Sequence, residues 1–204
     1  MRSRAAASIL ETAGFDFVRS VAGGIKAWHG ATAGGEPEAG MSFFPEAATQ
    51  AELIGLAWIL EEGSRKFYAA TAGMVGVDEA RGLFEDLMKA EEHHKTSLRD
   101  LYQEAAGTTA GPEFPVGTLR DQVDTDRMEG AVRISDALRW AAGRSLSEVL
   151  EFSVAREADS YDLYIKMSRR ISGSSGKKVF DRLAVEEREH LNRMTSLLDQ
   201  SRGA

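Results

Sequence analysis

The chain has 204 residues, 43% of them hydrophobic and 28% charged, enough to bury the core of one domain, or of one domain plus a fragment. A formal net charge of −7 argues against nucleic acid and against an anionic membrane as partners, because both reward clustered Lys and Arg. The absence of cysteine excludes disulfides, thiolate metal sites and a Cys nucleophile in this chain, so metal or redox chemistry here has to use oxygen and nitrogen ligands.

The N-terminal stretch carries Arg2 and Arg4, and Ser8 and Glu11 interrupt its apolar run, so it reads neither as a leader nor as a membrane span. A linker follows at residues 30–40, GATAGGEPEAG, with four of the 20 glycines and one of the four prolines. Thr49 and Glu52 then form a capping box, and apolar residues recur at helical spacing through Ile54, Trp58 and Tyr68, predicting a first helix over about 50–72. Its apolar run LIGLAWIL, 53–60, falls far short of the ~20 residues that cross a bilayer, and the chain is expected to be cytoplasmic. Phe84, Leu87, Met88, Leu98 and Leu101 form the stripe of a second helix that stops near Gly107. Residues 107 to about 144 read as a long crossover around one amphipathic piece, ISDALRWAA. Ser145 and Glu148 cap a third helix to about 171, GSSG at 173–176 turns the chain, and a fourth helix runs to about 199. Two helix pairs with short turns, joined by a long connection, predict an all-α, ferritin-like four-helix bundle.

Both pairs contain the same motif. Glu91 precedes His94 by three residues in KAEEHHKTSL, and Glu187 precedes His190 by three in VEEREHLNRM, a constant 96 positions later. The same offset relates Glu61 to Glu157, Tyr68 to Tyr164, Leu53 to Val149, Phe84 to Phe180, Leu87 to Leu183, Leu98 to Met194 and Leu101 to Leu197, so one unit is used twice. Helical spacing puts Glu91, His94, Glu187 and His190 on the apolar stripes of their helices, and Glu61 and Glu157 on those of the first and third. Four buried carboxylates without counter-charge would take up protons or unfold the bundle. Two divalent cations balance them, so the pattern predicts a dinuclear metal site made of Glu61, Glu91, His94, Glu157, Glu187 and His190. Tyr68 and Tyr164, each seven residues after a proposed ligand, are either core aromatics or groups that support the chemistry. Glu62, Glu92 and Glu186 neighbour ligands but leave the stripe and are expected on the solvated face. His93 and His29 have no histidine counterpart and are not expected to be ligands.

These segments, with LEEGSRKFY and AREADSYDLY, resemble the rubrerythrin-like branch of the ferritin-like di-iron carboxylate proteins over residues 47–199. The resemblance implies that Glu61 and Glu157 are terminal ligands, Glu91 and Glu187 bridge the two metals, and His94 and His190 supply imidazole. It further implies two iron ions, with Mn or Zn possible in the same site, and a homodimer as the assembly. Rubrerythrins proper usually carry a rubredoxin domain with four Cys; lacking it, this chain would need an external electron donor protein. The sequence offers no clear candidate for the additional carboxylate that such proteins bring to the site.

Residues 2–30, RSRAAASILETAGFDFVRSVAGGIKAWHG, resemble the C-terminal third of a rhodanese domain, which makes 1–40 a truncated rhodanese-like remnant with linker and 41–204 the helical domain. The family's nucleophile is a Cys in the loop before this segment, so sulfurtransferase activity is not expected. The expected function is a di-iron oxidoreductase reducing hydrogen peroxide or dioxygen, with Tyr68 and Tyr164 flanking the metals. The alternative is non-catalytic iron binding or storage, or a metal-stabilised scaffold.

Overall fold

The computed structural model describes residues 43–45, 47–120 and 122–203, so the rhodanese-like segment expected over 1–40 lies outside the described residues. These fold as five helices and one small ladder: α1 (Gln50–Met74), α2 (Asp78–Ala106), β1 (Arg127–Met128), β2 (Val132–Arg133), α3 (Ile134–Ala141), α4 (Leu146–Arg170) and α5 (Ser174–Gly203). The class is all-α, and no helix among the described residues is long and apolar enough to cross a membrane.

Local chemistry sets the ends of the long helices. Thr49 Oγ1 accepts from the Glu52 amide at 3.2 Å while the Glu52 carboxylate accepts from the Thr49 amide at 2.7 Å, closing the box that starts α1. Ser145 and Glu148 repeat this at α4, at 3.3 and 2.9 Å, with the offset seen in the motifs. Gly107 ends α2 in the left-handed conformation, φ 65°, which Gly adopts without a Cβ clash. α1 is two residues longer than its spacing predicts, and α5 continues past 199 to Gly203.

α1 packs along α2 and α4 along α5, each pair closing over a short turn, and α2 meets α5. The repeat-related apolar residues Leu53 and Val149, Phe84 and Phe180, Leu87 and Leu183, Leu98 and Met194 are all buried. Trp58 departs from the expected stripe: it is half-buried, edge-on to Phe114 at 5.8 Å and beneath Lys95 Nζ at 4.8 Å.

The crossover carries a hairpin, Arg127 paired with Arg133 and Met128 with Val132, around the short turn Glu129–Ala131. It seats directly on α1 and α4. A Cβ at Gly63 of α1 would lie 2.0 Å from the Arg127 carbonyl oxygen, and one at Gly130 would lie 2.2 Å from Arg156 Nη1 of α4. Gly63→Ala should therefore push the hairpin off α1 and cost about 1–3 kcal/mol, roughly 3–10 °C in melting temperature. Gly82→Ala, where the same Cβ meets nothing within 4 Å, should instead be neutral or stabilising because Gly is the poorer helix former. A thermal melt showing equal effects from the two substitutions would contradict the close seating of the hairpin.

Candidate metal centre

The six sequence-predicted ligand residues meet at the centre of the four long helices. Glu61, Glu91, Glu157 and Glu187 are each 0% exposed, and His94 and His190 are buried beside them. Their donor atoms form two groups, Glu61, Glu91, His94 and Glu187 in one and Glu91, Glu157, Glu187 and His190 in the other, with the atoms of each group within 4.8 Å of one another. Glu91 and Glu187 belong to both. Those two residues lie on the repeat-related helices α2 and α5, so the shared pair is itself repeat-related. The two imidazoles stack with ring centroids 5.5 Å apart.

The contacts inside the first group bring four buried residues within reach of one ion. His94 Nδ1 lies 3.1 Å from Glu61 Oε2, 3.0 Å from Glu91 Oε2 and 3.1 Å from Glu187 Oε1. One ring nitrogen can donate to one of these oxygens at most. Glu61 Oε1, both oxygens of Glu91 and Glu187 Oε1 are buried with no hydrogen-bond partner among the described residues. His190 Nδ1 likewise lies 3.0 Å from Glu157 Oε2 and 3.2 Å from Glu187 Oε2. A buried carboxylate oxygen without a donor is costly, and a metal ion bound by these oxygens and by Nδ1 satisfies several at once. The donor set of carboxylate oxygen and imidazole nitrogen therefore fits a pair of divalent metals, with no preference for one element.

Charge tells the same story without a cation. Burial, and then Glu91, push the Glu61 carboxyl well above the carboxylate range; burial and Glu187 do the same to Glu157. Burial alone would lower both imidazoles, but Glu187, Glu61 and Glu91 raise His94 well above its ordinary value, and Glu157 and Glu187 raise His190 to about 11. Burial also works against ionising Glu187, yet His94 and His190 hold it far below the usual range. Protons on the imidazoles and on two carboxyls thus take the place of metal charge.

The two tyrosines, symmetric in sequence, differ in place. Tyr68 is fully buried and its hydroxyl donates to Glu157 Oε1, fixing that carboxylate from across the α1–α4 boundary. Tyr164 is as deeply buried, but its hydroxyl has no partner among the described residues.

Two residues outside the predicted set join the site. Glu129, in the crossover turn, is 0% exposed and accepts from the Ser64 hydroxyl at 2.6 Å. Burial, then Glu91, Glu187 and Glu157, raise its carboxyl well above the usual carboxylate range. It is a fifth buried carboxylate, with Oε2 bonded to Ser64 of α1 and Oε1 left without a partner among the described residues. The sequence offers no clear candidate for a further carboxylate, and the structure places Glu129 there: helical periodicity could not reveal one carried by an irregular connection. Glu186 keeps 38% of its side chain exposed, as expected of the solvated face, and also reaches from α5 to place Oε2 3.0 Å from His94 Nε2. Glu62 and Glu92 stay outside, engaging Lys95 at 2.6 and 2.9 Å. The cleft of about 490 Å³ lined by Phe43, Leu56, Leu119 and Arg127 contains none of the six ligand residues.

A scan against known protein families finds no match, and no curated protein matches the chain.

Proposed function

We propose that this chain is a di-metal carboxylate oxidoreductase of the rubrerythrin-like, ferritin-like kind, which reduces hydrogen peroxide or dioxygen with electrons from an external donor protein. The observation that carries the reading is the pair of donor groups sharing Glu91 and Glu187, since two ions bridged by two carboxylates need this overlap. In this reading Glu61 with His94, and Glu157 with His190, complete the two positions. Two ferrous ions held there would supply the two electrons that cleavage of a peroxide O–O bond consumes, each ion becoming ferric. Cleavage also takes up two protons, and two waters leave. Tyr164 keeps a buried hydroxyl with no acceptor among the described residues, a donor available for a small oxygen species, whereas Tyr68 spends its proton on Glu157. The buried apolar side chains around the carboxylates, Phe84, Phe180 and Leu87 among them, exclude bulk water and limit side reactions.

The test is a single-turnover comparison. Iron-loaded, reduced protein is mixed anaerobically with stoichiometric peroxide and, separately, with dioxygen, and the oxidation rate and retained iron are followed. The expected result is faster oxidation by peroxide, with the iron kept, and repeated turnover once an electron donor is supplied. Continued iron uptake with growth of a mineral core would establish storage in its place, and redox inertness would leave a scaffold.

A further inference from the structure

The repeat that builds the site breaks at one contact. His94 has carboxylate oxygens around Nδ1 and a different carboxylate, Glu186, 3.0 Å from Nε2. Arg182 of the same helix lies within ion-pair range of Glu186, Nε 3.6 Å from Oε1, and its guanidinium donates to Ser97 Oγ of α2. Subtracting the repeat offset from 186 gives position 90, which is Ala90, and from 182 gives Asp86, which pairs with Arg193 at 2.8 Å. Nothing on α2 therefore reproduces the carboxylate, and no acidic oxygen is recorded against His190 Nε2 among the described residues. The tyrosines break the symmetry as well: Tyr68 is bound to Glu157, and Tyr164 leaves Glu61 Oε1 unpartnered.

The chemistry of metal-bound imidazole turns this into a difference in affinity. A histidine that binds through Nδ1 carries its proton on Nε2. A carboxylate accepting that proton fixes the ring and makes the ligand nitrogen more basic, an effect typically worth ~10–100-fold in metal affinity. Only one of the two positions has a carboxylate within reach of that proton: Glu186 Oε2 lies 3.0 Å from Nε2, off the line of a formed hydrogen bond, so the support is expected once the ring binds metal through Nδ1.

We propose that the two metal positions are inequivalent: the position formed by Glu61, Glu91, His94 and Glu187 fills first and holds its ion more tightly than the position formed by Glu91, Glu157, Glu187 and His190, and Glu186 is the positioning residue responsible. The inference rests on the reading of the site as a di-metal centre. Glu186 takes no part in holding the metal itself.

Metal-free full-length protein is titrated with Co²⁺, reading the visible absorption of the bound ion and the heat of binding. Two resolved steps are expected. Glu186→Gln should weaken the first step by ~10–100-fold while leaving the second in place, so that the steps merge. Glu61→Ala should abolish the tight step, and Glu157→Ala the weak one. Ala90→Glu, which restores the missing carboxylate to the other half, should tighten the second step. Two equal steps in the unsubstituted protein, or a Glu186→Gln titration superimposable on it, overturns the inequivalence while leaving the di-metal reading intact. A protein that binds no Co²⁺ at all overturns both.

Discussion

Glu91→Ala and Glu187→Ala are each expected to strip the protein of nearly all its metal, from about two ions per chain to almost none after dialysis. Each of these carboxylates serves both donor groups, so its removal opens both positions at once. Loss of a supporting partner alone costs ~10–100-fold in affinity, and loss of a bridging ligand exceeds that for each ion. Glu61→Ala and Glu157→Ala provide the contrast, because each belongs to one group and should cost one ion before the other. Elemental analysis of the four variants reads the difference directly. Retention of both ions by Glu91→Ala would remove Glu91 from the bridging role. Because Glu91 also lies 3.0 Å from His94 Nδ1, a circular dichroism spectrum of each variant accompanies the metal analysis and separates a lost ligand from a lost fold.

Metal removal should have the second large effect, and it should depend on pH. The carboxyls of Glu61, Glu129 and Glu157 are raised above their ordinary value of 4.5, so the stability they contribute is complete below that value and is lost as pH rises through their folded values. The imidazoles act in the same direction: their contribution is complete below 6.5 and is lost as pH climbs toward about 11 for His190. Glu187 opposes them, its contribution present above 4.5 and lost only in acid. Metal-free protein should accordingly melt progressively lower from about pH 5 upward, each proton held by the folded chain and released by the unfolded one being worth about 1.4 kcal/mol per pH unit. Two ions at a thousandfold excess over their dissociation constants restore roughly 8 kcal/mol, or about 15–30 °C, and flatten the profile. Binding should release protons from the imidazoles and carboxyls, detectable as a buffer-dependent heat. Glu129→Gln should raise the melting temperature of the metal-free form near pH 8 by removing one of the repelling charges. A metal-free protein with the same melting temperature at pH 5 and pH 9 would rule out this account of the buried carboxylates.

What the sequence makes legible is what periodicity can carry. The boxes at Thr49 and Ser145 mark helix starts because their chemistry is local, and the 96-residue offset picks out the six residues that cluster because repetition multiplies a weak motif into a specific one. Glu129 escapes both signals. It sits in a connection with neither helical period nor repeat partner, and its burial depends on Gly63 admitting the hairpin to the face of α1. Glu186 escapes for another reason. A stripe describes the direction of Cβ, and a side chain three bonds longer can turn back across the α2–α5 boundary to meet His94. Trp58 shows the converse, an aromatic at stripe spacing that ends at the rim because Lys95 and Phe114 hold it there. Tyr68 and Tyr164 cannot be told apart by spacing, since the difference lies in which carboxylate each hydroxyl reaches.

The wedge of crossover between α1 and α4 also bears on how such a protein can change. Each of the six clustered residues on the long helices has a twin in the other half, so altering one breaks a matched set. Glu129 has no twin and belongs to no helix. A replacement there changes the charge beside the clustered carboxylates without touching the repeat, while the close seat of the hairpin on Gly63 and its full burial confine the choice to side chains of similar size.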